Sequence, residues 1–113
     1  MAVFESGVLP CYAEDFLVYL ESILGKSKNT VNEYYYDLLM FFRFMKIKNG
    51  SVPKDSEFTE ISVSDFSEEE LSKIRLSDLY SFLNYMNNER NDQPATRARK
   101  VACLRSFFKY VWS

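Results

Sequence analysis

A chain of 113 residues with 47% hydrophobic and 17% aromatic side chains, three Gly and three Pro can bury one core. It is too poor in turn residues for an all-β architecture and too apolar for long disorder. The formal net charge of −2 would argue against nucleic acid if it were evenly spread, but residues 51–76 carry three basic and seven acidic side chains while residues 94–113 carry five basic and none acidic.

The absence of histidine excludes imidazole acid–base catalysis. With only Cys11 and Cys103 beside it, no metal site and no disulfide framework is expected. Both cysteines read as reduced, in a cytoplasmic protein; a Cys11–Cys103 disulfide is the alternative. Met1-Ala2-Val3-Phe4-Glu5 lacks the basic start and apolar run of a secretory signal. No stretch approaches the ~20 apolar residues of a membrane span.

After an aperiodic start ending at Pro10, the first helix is expected over 12–24. Phe16, Tyr19, Leu20, Ile23 and Leu24 fall on one face, and Gly25 follows as a C-terminal cap. Ser27 is the expected N-cap of a second helix over 28–48, stopped by Asn49-Gly50. Its main stripe is Val31, Tyr34, Leu38, Phe41, Phe42 and Met45. Further apolar residues off that stripe suit a helix central in its bundle. Residues 51–74, with Pro53 and an acidic bias, read as a surface excursion. Within it Ser67-Glu68-Glu69-Glu70 has the form of a capping box opening a short helical turn. A third helix is expected over 77–88, capped by Ser77, with Asp78 near its positive end and Leu79, Phe82, Leu83 and Met86 inward. The fourth, over 94–112, begins at Pro94 and buries Val101, Leu104, Phe107, Phe108 and Val111.

The second helix reads Ser27-x-x-Thr30-x-x-x-Tyr34-x-x-Asp37-Leu38-x-x-Phe41. The fourth reads Thr96-x-x-Arg99-Lys100-Val101-x-x-Leu104-Arg105-Ser106-Phe107-Phe108-x-Tyr110, and the third Leu76-Ser77-Asp78-Leu79-Tyr80-Ser81-Phe82-Leu83-x-Tyr85. In this order they resemble the N-terminal core-binding domain of tyrosine recombinases, the phage integrases of the Xer type, over residues 12–113. The acidic segment 51–74 is longer than that family's usual link. The resemblance implies an all-α, four-helix SAM-like domain with orthogonal helix pairs, spanning 1–113 as one unit. It also implies that the catalytic domain, which carries the nucleophilic tyrosine, is absent from this chain.

Two clusters are candidates for contact with duplex DNA. Thr96, Arg97, Arg99, Lys100 and Arg105 lie on the fourth helix, where Ala98, Ala102, Arg105 and Lys109 share one side. Lys28, Asn29, Thr30 and Asn32 lie at the second helix start, where free backbone N–H groups suit a phosphate. The bland alternatives are a solvated basic face and a hydrated helix cap. Tyr34 reads as core, with Tyr35 and Tyr36 more exposed and able to reach sugar or phosphate. Asp37 reads as a surface ion pair or polar anchor. Glu68-Glu69-Glu70 diverge around a helix and make no metal site. No catalytic residue, cofactor, membrane or small-molecule substrate is expected. In the parent the further partners would be its own catalytic domain and other recombinase protomers. The competing function is a helical protein–protein interaction domain, because fold does not choose between the two.

Overall fold

The computed structural model describes residues 4–112; the N-terminal Met1-Ala2-Val3 stretch read above and Ser113 lie outside them. The described residues form α1 (Cys11–Ser22), α2 (Lys28–Lys48), a 3-10 turn (Phe58–Glu60), α3 (Glu68–Ser72), α4 (Leu76–Glu89) and α5 (Pro94–Val111), with no strand among them. The chain is thus all-helical, and the four long helices expected from periodicity are α1, α2, α4 and α5.

α1 ends earlier than expected. After Ser22 the N–H of Leu24 turns back to the carbonyl of Tyr19 and that of Lys26 to Leu20, and the reversal passes through Gly25 at φ +65°. Ile23 and Leu24 therefore leave the helical stripe and stand exposed, at 71% and 47%, contrary to the expectation that they face the core. The inward face is Ala13, Phe16, Leu17 and Leu20.

α2 is the central element. Ser27 caps it, its hydroxyl accepting the Thr30 N–H at 3.1 Å. The helix packs against α1, α4, α5 and the 3-10 turn, which is why it needs apolar residues on several sides. Its phenylalanines hold the core in edge-on ring pairs: Phe41 against Phe82 at 5.3 Å and against Phe108 at 6.0 Å, and Phe42 against Phe107 at 6.0 Å.

The acidic segment is more than a surface excursion, and this corrects the sequence reading. Phe58, Ile61, Val63, Phe66, Leu71 and Ile74 are all buried in the common core. The segment is also fastened by polar contacts. Tyr12 donates its hydroxyl to the Phe66 carbonyl at 2.8 Å, and Arg43 donates Nε–H to the Ile61 carbonyl at 3.1 Å. The Lys46 ammonium meets Asp65 at 2.6 Å. The charge average over the segment hid an inward apolar set whose carboxylates point out. Within it the expected capping box is present, Ser67 and Glu70 each accepting the other's backbone N–H at 3.1 and 3.0 Å.

α4 begins at Leu76, so Ser77 is not its cap. The capping acceptor is Asp78, which takes the Arg75 backbone N–H at 2.8 Å and the Lys48 ammonium at 3.1 Å. A carboxylate at that place suits the positive helix end. Phe82 and Met86 are buried, while Leu79 and Leu83 are only half-buried.

If the 51–74 segment is core, truncating its deepest ring must be costly. Phe66→Ala should lower the unfolding free energy by about 3–5 kcal/mol, the usual range for deleting a buried aromatic. A loss under ~1 kcal/mol in urea denaturation would return the segment to the surface.

Candidate nucleic-acid interface

α5 opens with Pro94 at its first turn and carries Arg97, Arg99, Lys100, Arg105 and Lys109. Its inward stripe is Lys100, Cys103, Leu104, Phe107 and Phe108, so the basic residues are divided by the helix period rather than gathered on one ridge. Ala98, Ala102, Arg105 and Lys109 form the exposed side, as the 100° spacing requires.

Lys100 stands apart from the others. It is 1% exposed, and its ammonium lies 3.3 Å from Asp37 Oδ1 and 3.1 Å from Asp92 Oδ2. The Asp92 approach is a charge contact rather than a directed hydrogen bond. A lysine with no surface cannot touch a phosphate, so the expected role of Lys100 in the DNA-contacting set is corrected to an internal counter-ion.

Asp37 is the other half of that arrangement, and of its two expected roles it takes that of a polar anchor, buried rather than a helix-surface ion pair. It is fully buried, and Arg99 clamps it side-on, Nε to Oδ2 at 2.9 Å and Nη2 to Oδ1 at 2.8 Å. Hydrogen bonding to Asp37 pushes the Arg99 guanidinium above its ordinary value, against the opposing effect of burial. The third guanidinium nitrogen, Nη1, points outward to Glu33 Oε2 at 3.4 Å, where both side chains are partly exposed. Arg99 thereby joins the first half of α5 to the first turns of α2. Its partners on α2, Glu33 and Asp37, follow the Lys28, Asn29, Thr30 and Asn32 cluster picked from sequence and are not members of it.

At the start of α2, Lys28 and Asn29 are exposed, and Thr30 and Asn32 are half-buried. The Thr30 hydroxyl accepts from Ser27 at 3.1 Å. Thr96 is half-buried on the first turn of α5. Arg97 Nη1 donates to Asn87 Oδ1 at 2.5 Å and to the Asp92 carbonyl at 3.1 Å, which ties the α4–α5 connection. That connection passes through Asn91 at φ +54°, a conformation asparagine tolerates.

The tyrosine reading is reversed in part. Tyr35 is the buried one, stacked on Phe4 at 5.6 Å, while Tyr34 is half-buried and Tyr36 is 50% exposed. Of the three, Tyr36 is the most exposed to a ligand. Cys103 is buried and donates its thiol to the Tyr34 carbonyl at 3.8 Å; burial pushes that thiol well above its usual value. Cys11 is exposed, and both cysteines are free. Among the described residues no group of three or more His, Cys, Asp or Glu could hold a metal ion, and no helix is long and apolar enough to cross a membrane.

Sequence reasoning missed that Asp37, Lys100 and Asp78 would be buried. A signal for the first two existed. Asp37 falls three residues after Tyr34 and four before Phe41, on an apolar stripe, and Lys100 falls four before Leu104. A charge on an inward stripe announces a buried partner.

The comparisons with known proteins bear on this geometry. The tyrosine recombinase XerC of Caldanaerobacter subterraneus is 44% identical over 103 residues, which is 91% of this chain and 29% of that protein. Relatives of the same name from Chlorobaculum parvum and Chlorobaculum tepidum are 26% and 30% identical over 88% and 86% of the chain. The chain belongs with the Xer-type tyrosine recombinases. It spans 25–29% of the length of these relatives, and its all-helical fold is consistent with their N-terminal core-binding domain. No protein-family profile matches the chain, and no solved structure does.

Two outcomes follow from the buried charges. Asp37→Asn removes a charge that answers the buried Lys100 and should cost about 3–5 kcal/mol, as breaking one side of a buried pair does. Asp37→Leu combined with Lys100→Met should cost clearly less than the two single changes summed; strict additivity in urea denaturation would show that the two do not interact.

Acid sensitivity is the second outcome. Burial opposes ionisation of Asp78, but the Arg75 N–H and the Lys48 ammonium outweigh it and hold the carboxyl below its ordinary value. Bonding to the Lys46 ammonium does the same for Asp65. The unfolded chain then binds protons more readily, so both contributions are intact above about pH 4 and fade as pH falls through the lower folded values. Asp78→Asn should flatten the fall in urea midpoint below about pH 4, and an unchanged slope there would count against this pair.

Proposed function

We propose that this chain is the DNA-gripping module of a tyrosine recombinase, holding one side of duplex DNA at a recombination site. The observation that carries it is the junction at Arg99. There the carboxylate-free α5 is joined to the first turns of α2 through Glu33 and Asp37, with Lys28 and Asn29 exposed at the start of α2 and Arg105 exposed on the side of α5 that faces α4. The recombinase names of the relatives support the same reading. Thr30, Asn32, Thr96 and Arg97 belong to the proposed contact set through their polar groups, and Lys100 does not. The chain itself performs no strand cleavage in this reading, since it brings no histidine and, among the described residues, no convergent catalytic set. In a longer parent a catalytic domain and other protomers would be its protein partners, and the setting would be cytoplasmic.

One observation favours the alternative of a protein-interaction domain. Between α4 and α5 runs an apolar groove, lined by Leu79, Leu83, Leu104 and Phe108 and flanked by exposed Leu76, Tyr80 and Trp112. Salt separates the two readings, because counter-ion release from phosphates has no counterpart in an apolar interface. Weak, largely sequence-independent duplex binding should show a log–log salt slope of roughly −3 to −4 if three or four cations engage, at ~0.9 each. Lys28→Ala or Arg105→Ala should each flatten it by about one. No binding by the unaltered chain at ~20 mM salt would move the choice to the protein-interaction domain.

A further inference from the structure

Arg99 has two sides with different surroundings. Its Nε and Nη2 are bonded to the fully buried Asp37, and Nη1 reaches Glu33 at a longer 3.4 Å. Glu33 is 50% exposed and Arg99 29% exposed, so the outer contact can exchange with solvent ions while the inner one is shielded. Charge points the same way. Asp37 and Asp92 are answered by Lys100 and Arg99. Glu33 is the surplus carboxylate, and it stands where an approaching phosphate would meet the guanidinium.

From this, resting on the DNA-binding reading above, we propose that Asp37 is a positioning residue for phosphate recognition. It fixes Arg99 as a rigid fork whose outward Nη1 is handed from Glu33 to a DNA phosphate. Glu33 thus acts as an exchangeable internal competitor that weakens non-specific binding, and Asp37 keeps the guanidinium plane fixed through the exchange. A pre-oriented fork loses less freedom on binding than a free arginine, and removal of its outer partner frees one donor.

The test is duplex DNA binding followed by fluorescence anisotropy at ~50 mM salt, where surface charges are weakly screened. Glu33→Gln keeps the shape and removes the competitor, and should tighten binding about two- to five-fold, the range of one surface ion pair. Glu69→Gln removes the same charge from the exposed surface of α3 and should tighten it much less. Equal gains from the two would reduce the effect to net charge and overturn the proposal. No gain from Glu33→Gln, with Arg105→Ala still weakening binding, would overturn it while leaving the DNA-binding reading intact. Failure of the unaltered chain to bind would remove both.

A nitrogen–proton correlation spectrum supplies a readout that a purely structural Asp37 would not move. On adding DNA, the Arg99 Nε–H signal should stay slowly exchanging and nearly in place. The Nη1 protons should shift, and that shift should be absent on titrating Arg99→Lys. Loss of Nε–H protection on binding would show that the arginine leaves Asp37, and would refute the positioning role.

Discussion

A carboxylate with no exposed surface imposes a demand on everything around it. Asp37 sits in the wall of the central helix, and the cations that answer it come from Arg99 and Lys100, 62 and 63 positions further along the chain. An unpaired ion there would be far too costly, so α5 must lie against α2 in one register, with its first half beside the start of α2. The hydrophobic contacts of Phe41, Phe42, Phe107 and Phe108 give the bundle most of its stability, but rings can slide and re-pack. A side-on arginine–carboxylate pair at 2.8–2.9 Å cannot slide by a residue without losing both bonds.

The same pair shapes the functional surface. Register brings Arg99 against α2 at Glu33 and Asp37, just past the polar start of that helix. The division of labour among the α5 cations follows from the helix period. Lys100 turns inward as a counter-ion, Arg97 braces the connection from α4, Arg105 and Lys109 face solvent, and Arg99 spans the boundary. A basic helix is often treated as a single electrostatic patch. Here only part of its charge is presented outward, while the rest balances Asp37 and Asp92.

The 51–74 segment shows a second way in which composition conceals role. Its carboxylates make it look solvated, yet six of its apolar residues close one side of the core and Arg43, Lys46 and Tyr12 reach out to hold its backbone and side chains. Its outward face is acidic and its inward face is not. The bundle gains core from a segment without long helices, and the surface gains a region that repels phosphate.

The sequence by itself determined the helices and their class. Periodic apolar residues, the Ser27 cap, the Ser67–Glu70 box and Pro94 are local signals, legible because capping and amphipathicity act over one or two turns. The ordered motifs of α2, α4 and α5 likewise pointed to the recombinase family that the relatives bear out. What only the tertiary structure decided is which partner answers each inward charge and where the helix boundaries fall, although the apolar stripes already carried a signal for Asp37 and Lys100. Tyr35 rather than Tyr34 is buried, Lys100 leaves the surface, and Asp78 rather than Ser77 caps α4. Each depends on a partner distant in sequence or on a helix boundary shifted by a residue or two. At 100° per residue, a shift of one residue turns a side chain from solvent to core. The meeting of Arg99 with Asp37 and Glu33 was beyond sequence for the same reason, since local periodicity sets the faces of each helix but not the register in which two helices pack.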